Sequence, residues 1–296
     1  MSYLCANRMK KILFVINPIS GGRSKEAIRQ MIEEEAGRAG AEFRTVLTTH
    51  AGHATELARE TDADIVVAVG GDGTVSEVAQ GLSGTDKVLG IIPCGSGDGL
   101  ALHLGLSRRP RKAIRTILEG HSIPMDHGLV DGRPFFCTTG VGLDAEVAWQ
   151  FASSGRRGLL TYISLAWKIW QHFRPDTYTI DIDGTSFSAP AVFVTVGNAN
   201  QWGNQARICP LASVSDGLLD LTVVAPFRTV EIPVLAAKLL LGRAHTSRRA
   251  RMLRGRHIVI RRTQEGPAHY DGDPCRKGTE IRIDIVPSAL HVIVPR

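Results

Sequence analysis

Apolar residues up to Glu119 come in two spacings, and the two alternate. Short aliphatic runs at Lys11–Ile16 (KILFVI), Ile65–Val69 (IVVAV) and Val88–Ile92 (VLGII) predict strands buried on both faces, and Glu42–Leu47 predicts another. Between them the apolar positions take helical spacing. Ile28, Met31 and Ile32 follow Ser24, which is suited to cap a helix, and that pattern stops in the glycines between Gly37 and Gly40. Ala54–Glu60 predicts a short helix after a turn at Thr48–Gly52. Val75, Val78, Ala79 and Leu82 form an i, i+3, i+4, i+7 stripe. Thr74 and Glu77 have capping-box spacing, which predicts that this helix begins at Thr74. Further helices are predicted over Ala101–Leu106 and Arg109–Glu119. Strand alternating with helix is the pattern of a doubly wound parallel α/β sheet, in which ligands bind beyond the carboxyl ends of the strands. Glycine clusters at Asn17–Gly22, Gly70–Gly73 and Pro93–Gly99 all fall at such ends.

From His121 the spacing changes. Strand patterns follow one another with little helix between: Pro134–Thr139, Tyr178–Ile182, Ala191–Gly197, Leu218–Val224, His257–Arg261, Glu280–Val286 and Leu290–Val294. Asp183-Gly184 predicts a hairpin turn. Two helical inserts interrupt the strands, Leu159–Phe173, with Trp167 and Trp170, and Thr229–Leu241. The expected architecture is therefore an N-terminal doubly wound α/β domain over residues 1–122 and a C-terminal antiparallel β-sandwich-like domain with helical inserts over residues 123–296. A return of the last residues to the first domain stays open.

With 296 residues, 43% of them hydrophobic, the chain can bury a large core. No apolar window reaches the length of a transmembrane helix. The N-terminal basic flank leads straight into a strand pattern, so no signal peptide is read, and Met9 competes with Met1 as the start. Cys5, Cys94, Cys137, Cys209 and Cys275 are scattered without C-x-x-C spacing, which points to a reducing, cytoplasmic setting and away from a disulfide frame or a zinc site. The net charge of +6 is local, because eight arginines and no acid occupy Arg243–Arg262. Such a strip suits an anionic lipid surface or nucleic acid, and equally an ordinary solvated face.

The stretch Asp64–Leu82 carries the chemistry. A strand, a glycine turn and a fresh helix N-terminus make an anion site, since glycines let the backbone approach and the helix dipole faces the ligand. Asp72 inside the turn would repel a phosphate unless a metal ion stood between them. The pattern G-x-x-x-x-G-K-[ST] is absent, as is G-x-G-x-x-G after a strand, which excludes a P-loop and counts against a dinucleotide fingerprint.

Six motifs recur in order: NPISGG at 17–22, GGDGTVSEV at 70–78, PCGSGDGLA at 93–101, GVGLDAEV at 140–147, SDGLLD at 215–220 and DGDP at 271–274. Through them the chain resembles the diacylglycerol kinase catalytic-domain family, which includes bacterial lipid kinases and sphingosine and ceramide kinases, from about Lys10 to about Val286. The resemblance implies transfer of the γ-phosphate of ATP, with Mg²⁺, to the hydroxyl of a diacylglycerol-type or sphingoid lipid at a membrane surface. Asn17 and Thr48 would lie near the nucleotide, Gly70, Gly71, Asp72, Gly73 and Thr74 would cradle its phosphates, Glu77 would fix that loop, and Gly95 and Ser96 would contact the nucleotide. Asp273 falls where the family has its proton acceptor, with Asp72 as a metal-organising acid, or with those two roles exchanged. Asp216 corresponds to a Mg²⁺ ligand, accompanied by backbone oxygens of Ser213 and Leu218.

The departures matter. The family's usual glutamate is Asp273 here, and a G-T-x-N-D-x-A loop is replaced by Gly95-Ser96-Gly97-Asp98-Gly99-Leu100-Ala101. Asp98 is expected to help hold a metal in place of the acid missing at Gly99, and Glu146 to stand where sphingosine kinases set an acid against the lipid amine. The resemblance implies peripheral membrane association and no nucleic acid, with a homodimer one option for assembly. The alternatives are a NAD kinase-like enzyme with a soluble acceptor and a nucleotide- or lipid-binding protein that has lost catalysis.

Overall fold

The computed structural model describes residues 10–22, 24–155 and 158–296; Cys5 and the alternative starts Met1 and Met9 lie outside them. The chain divides into two compact units, one of residues up to Gly95 with Gly105–Ile123 and Leu290–Arg296, the other of Ser96–Leu104 and Pro124–Ala289.

In the first unit β1 (Lys11–Ile16), α1 (Lys25–Arg38), β2 (Glu42–Leu47), α2 (His53–Glu60), β3 (Ile65–Gly70), α3 (Asp72–Leu82) and β4 (Val88–Pro93) follow in sequence. The strands make a parallel sheet in the order β2-β1-β3-β4. Every residue of β3 is buried, as a central strand covered on both faces requires. After α4 (Gly99–His103), which belongs to the other unit, α5 (Pro110–Glu119) packs against α1. Phe14, Val67, Val69, Ile28, Ile32 and Ile114 share one core cluster, each burial being worth roughly 1.5–3 kcal/mol. Ser24 caps α1 as expected, accepting from Ala27 N–H.

The capping box is not formed. Helix α3 begins at Asp72 with Gly71 at the N-cap position and no side chain capping it. Thr74 is buried and its Oγ1 accepts from the Asn17 side-chain amide at 3.0 Å. The Glu77 carboxylate reaches away from its own helix, accepting from Gly52 N–H at 3.0 Å and Ala54 N–H at 3.3 Å. Both capping partners are thus spent on tertiary contacts.

The second unit is a sandwich. The chain runs through β5 (His121–Val130), β6 (Arg133–Phe135), β7 (Thr138–Gly142), α6 (Leu143–Ser153), α7 (Leu159–Trp170), β8 (Asp176–Ile182), β9 (Thr185–Ala191), β10 (Phe193–Gly197) and β11 (Leu219–Val224). It continues with α8 (Ile232–Leu240), β12 (Ala250–Gly255), β13 (His257–Arg261), β14 (Gly266–Tyr270), β15 (Asp273–Lys277) and β16 (Glu280–Val294). One antiparallel sheet has the order β12-β11-β10-β7-β14-β15. The other sets the first part of β16 beside β13, β8 and β9. Val141, Val194, Val196, Leu219 and Leu221 of the first interleave with Ile180, Ile258, Ile260, Ile281 and Ile283 of the second in one core. Asp183 and Gly184, at φ 49° and 87°, make the predicted β8–β9 turn.

Three expectations change here. Pro134–Thr139 is two strands, because the N–H groups of Phe136, Cys137 and Thr138 are taken by the Asp271 carboxylate. The predicted pair Glu280–Val286 and Leu290–Val294 is one strand that passes through Ser288 at φ 49°, whose N–H donates to Asp126. Finally, the arginine strip is not one basic face. Strand alternation sends its members different ways: Arg249 pairs with Glu231, Arg254 with Asp216 and Asp220, and Arg261 with Glu280. Arg262 donates to four backbone carbonyls, and Arg251 lies 4.0 Å from the centroid of the Phe187 ring.

Candidate active site

In the first unit the three strand-end turns close on one another. Gly70 runs directly beneath Thr74, so a Cβ there would collide with the threonine side chain. A Cβ on Gly71 would come within 3.2 Å of Gly95 Cα, and one on Gly21, at φ +62°, would strike the Cys94 carbonyl. Backbone bonds complete the closure, Asn17 N–H to Val69 O at 3.0 Å and Cys94 N–H to Gly70 O at 2.8 Å. Asn17 bridges the turns: its amide nitrogen donates to Thr74 and its carbonyl accepts from Ile19 N–H at 3.1 Å. Small residues at these crossings let the turns close up beside the N-terminus of α3, a backbone arrangement suited to phosphate oxygens. Half-buried Asp72 opens the helix.

Thr48 follows the edge strand, its N–H donating to Ile16 O at 2.9 Å. Just beyond it His50 and His53 stack with centroids 4.8 Å apart and planes 19° from parallel. Glu56 lies near them, one possible ligand atom from each of the three lying within 4.8 Å of the others, and His53 Nδ1 accepts from Thr49 N–H at 3.1 Å. Gly70–Thr74, Asn17, Glu77 and Gly95 are therefore brought together in this unit, with Thr48 at the end of a neighbouring strand.

The other predicted residues lie in the second unit. Ser96 is exposed, whereas Asp98 is 3% exposed and left-handed at φ 51°. A Cβ on Gly99 would sit 3.0 Å from Cys137 Sγ and 3.3 Å from Gln201 O, so the second acid of the usual loop has no room here. Asp273 is the exposed first residue of β15, opposite Tyr270, and the turn before it is Asp271-Gly272 at φ 49° and 90°. Asp271 fastens this hairpin by accepting from Cys137 N–H at 2.7 Å, Phe136 N–H at 2.9 Å and Thr138 N–H at 3.1 Å. Sequence reasoning gave Asp271 no role of its own; its position in an Asp-Gly turn was the only signal.

Asp144 and Glu146 open α6 but differ in surroundings. Asp144 is buried and accepts from Thr195 Oγ1 at 3.1 Å and its neighbour's N–H at 2.9 Å, with His269 Nε2 3.3 Å away. Glu146 accepts from Gln150 Nε2 at 2.7 Å and lines a cavity of about 140 Å³ together with Arg174, Asp176, Arg262 and Glu265. At the Ser213–Leu218 turn, Asp216 faces a guanidinium: its Oδ2 lies 3.4 Å from Arg254, and its Oδ1 accepts from Leu218 N–H at 3.2 Å. Asp220, also missed in the sequence, is 5% exposed; burial raises its carboxyl above the usual range and Arg254 pulls it back.

An α/β unit with glycine turns gathered at its strand ends, followed by a β-sandwich, defines the class to which the comparisons give a family. Residues 11–130 match the diacylglycerol kinase catalytic domain, and residues 137–294 match the YegS C-terminal NAD kinase beta sandwich-like domain. The chain belongs to this family of diacylglycerol kinase and YegS-like lipid kinases. It is 30% identical over 305 residues to a diacylglycerol kinase of Mycobacterium tuberculosis (97% of this chain, 96% of that protein). To a diacylglycerol kinase of Bacillus subtilis it is 28% identical over 273 residues, 90% of each chain. A crystal structure of a diacylglycerol kinase from Bacillus anthracis shares the fold at TM-score 0.77 and 21% identity, covering 98% of both chains.

Proposed function

We propose that this protein transfers the γ-phosphate of ATP, as its Mg²⁺ complex, to the hydroxyl of a diacylglycerol-type lipid. The observation that carries the reading is the closed set of glycine turns at the start of α3, braced by Asn17 and Glu77. Gly70–Thr74 would hold the phosphates, with Asn17, Thr48, Gly95 and Ser96 around the nucleotide. Asp72, in the first unit, is a carboxylate of the type that receives a magnesium ion, and such an ion would neutralise charge developing on the transferred phosphoryl group. Asp98, in the second unit, is a second such carboxylate. Asp273 would take the proton of the lipid hydroxyl. A neutral, diacylglycerol-type acceptor is preferred over a sphingoid base because the relatives from Mycobacterium tuberculosis and Bacillus subtilis are diacylglycerol kinases. Asp144 is held by Thr195 and His269, and the cavity at Glu146 presents Asp176 and Glu265 as well as Arg174 and Arg262.

Labelled ATP with vesicles carrying diacylglycerol, monoacylglycerol, sphingosine or ceramide tests this. The expected product is phosphorylated diacylglycerol, lost on chelation of Mg²⁺. A product from sphingosine alone would transfer the reading to sphingoid acceptors, and phosphorylation of NAD to a soluble one. ATP binding without any product would make the chain a binding protein.

The lipid substrate requires a membrane surface, and two acid-free helices supply the best match. No helix among the described residues is long and apolar enough to cross a bilayer. On α7, Leu160, Ile163 and Trp167 are exposed on one stripe, and Val230, Val234, Leu240 and Leu241 are exposed on and around α8. Trp170 joins the two segments, stacking on Phe227 at 4.7 Å and donating to Thr229 Oγ1. Lys168 and Lys238 lie on the same helices, a composition suited to anionic lipid. Ile163→Ser with Trp167→Ser is expected to reduce cosedimentation with anionic vesicles about tenfold and to leave ATP binding unchanged; undiminished cosedimentation would remove α7 from the docking surface.

A further inference from the structure

The loop from Leu211 to Asp220 is tied down from two sides, and one tie is a built-in cation. On the first side, the buried Asp126 carboxylate accepts from Gly217 N–H at 2.7 Å and Ser288 N–H at 2.7 Å, and Asp126 N–H donates to Val214 O. That tie uses one donor and one acceptor of the loop, Gly217 N–H and Val214 O. On the second side the loop's acceptors converge on Arg254, which stands directly opposite Asp220 in the β11–β12 register. Arg254 Nε donates to Asp220 Oδ1 at 3.1 Å, Nη1 lies 3.4 Å from Asp216 Oδ2, and Nη2 donates to the Leu211 carbonyl.

All three guanidinium nitrogens therefore meet oxygens from one loop. This is the planar, permanently charged fork that matches carboxylates, whereas magnesium demands near-octahedral oxygens at about 2.0–2.1 Å and holds its water tightly. An ion bound at Asp216 would have to displace Arg254 or lie against its charge. Displacement would leave Asp220 buried without that counter-charge, and its Oδ2 is already buried without a hydrogen-bond partner among the described residues.

We propose that Arg254 takes in this chain the place that the resemblance gives to a magnesium ion at Asp216, so that the loop folds without metal. Any magnesium that arrives with ATP is a separate ion, and the inference stands whether or not the kinase reading holds.

The test uses the full chain without nucleotide or lipid, reading thermal unfolding and bound metal. After dialysis against EDTA or against millimolar Mg²⁺, the wild type is expected to unfold within about 1 °C of the same temperature and to retain far less than one magnesium per chain after gel filtration. Arg254→Met is expected to lower the unfolding temperature by about 5 °C or more. Stoichiometric magnesium in the wild type, a fall of several degrees on chelation, or an Arg254→Met protein as stable as the wild type would overturn the proposal. Should Arg254→Met fail to fold, Asp216→Asn decides: the same destabilisation with and without Mg²⁺ supports an arginine partner, and a cost seen only in Mg²⁺ overturns it.

Discussion

Asp273→Asn is expected to slow lipid phosphorylation about a thousandfold, within the range that a positioned general base contributes, while ATP binding stays within about twofold. The reasoning starts from the hairpin. Asp271-Gly272 adopts the two left-handed residues of a tight turn, and Asp273 is the first residue after it, exposed and paired in register with Tyr270. Asparagine keeps the size of that side chain and removes its ability to take a proton. The effect should therefore fall on turnover rather than on folding, and unchanged thermal unfolding beside a lost rate is the signature to look for. Asp273→Glu restores the family's longer acid and is expected to retain activity, since the added methylene extends an exposed chain end. An Asp273→Asn enzyme with full turnover would return the base to Asp72, the exchange of roles that the sequence left open.

What could be read beforehand follows from where the information lies. Lys11–Ile16, Glu42–Leu47 and His257–Arg261 are strands residue for residue as expected, because burial or alternation is written into consecutive positions. Helix α6 was missed since it is buried on several sides, with Leu143, Asp144, Ala145, Val147 and Ala148 all inside, so no apolar stripe marks it. Strands β14 and β15 carry glycine, proline and charge; β14 is held in the sheet by β7, distant in sequence, and β15 by β14 at the sheet edge.

The glycine loop was legible because its residue types have few other uses. Glu77 was marked as its brace through the resemblance, but the partners were not legible, since Gly52 and Ala54 lie more than 20 residues earlier. The arginine strip misled for a related reason. Counting charge along a chain ignores that alternate residues of β12 and β13 face opposite ways, and that acids from Glu231, Asp220 and Glu280 come to meet them.

Asp271→Ala is expected to destabilise the protein by about 3–5 kcal/mol, a large share of a typical 5–15 kcal/mol, and to lower the unfolding temperature by about 10 °C. Its carboxylate accepts from three successive amides, those of Phe136, Cys137 and Thr138, which are 1%, 6% and 2% exposed. Without it those N–H groups lose their acceptor where water has little access, at roughly 1–3 kcal/mol for each unsatisfied group, less than additively. Alanine also brings strain, because residue 271 sits at φ 49°, where aspartate and asparagine are tolerated better than other side chains. Asp271→Asn separates the two effects. Asparagine keeps the turn and one acceptor oxygen but loses the charge, so it should cost about half as much. Turnover should fall in both variants, since the same hairpin carries Asp273, and it should fall in proportion to the loss of stability. If Asp271→Ala unfolds within about 2 °C of the wild type yet loses turnover, Asp271 acts in the chemistry itself, and the assignment of the base to Asp273 must be reopened.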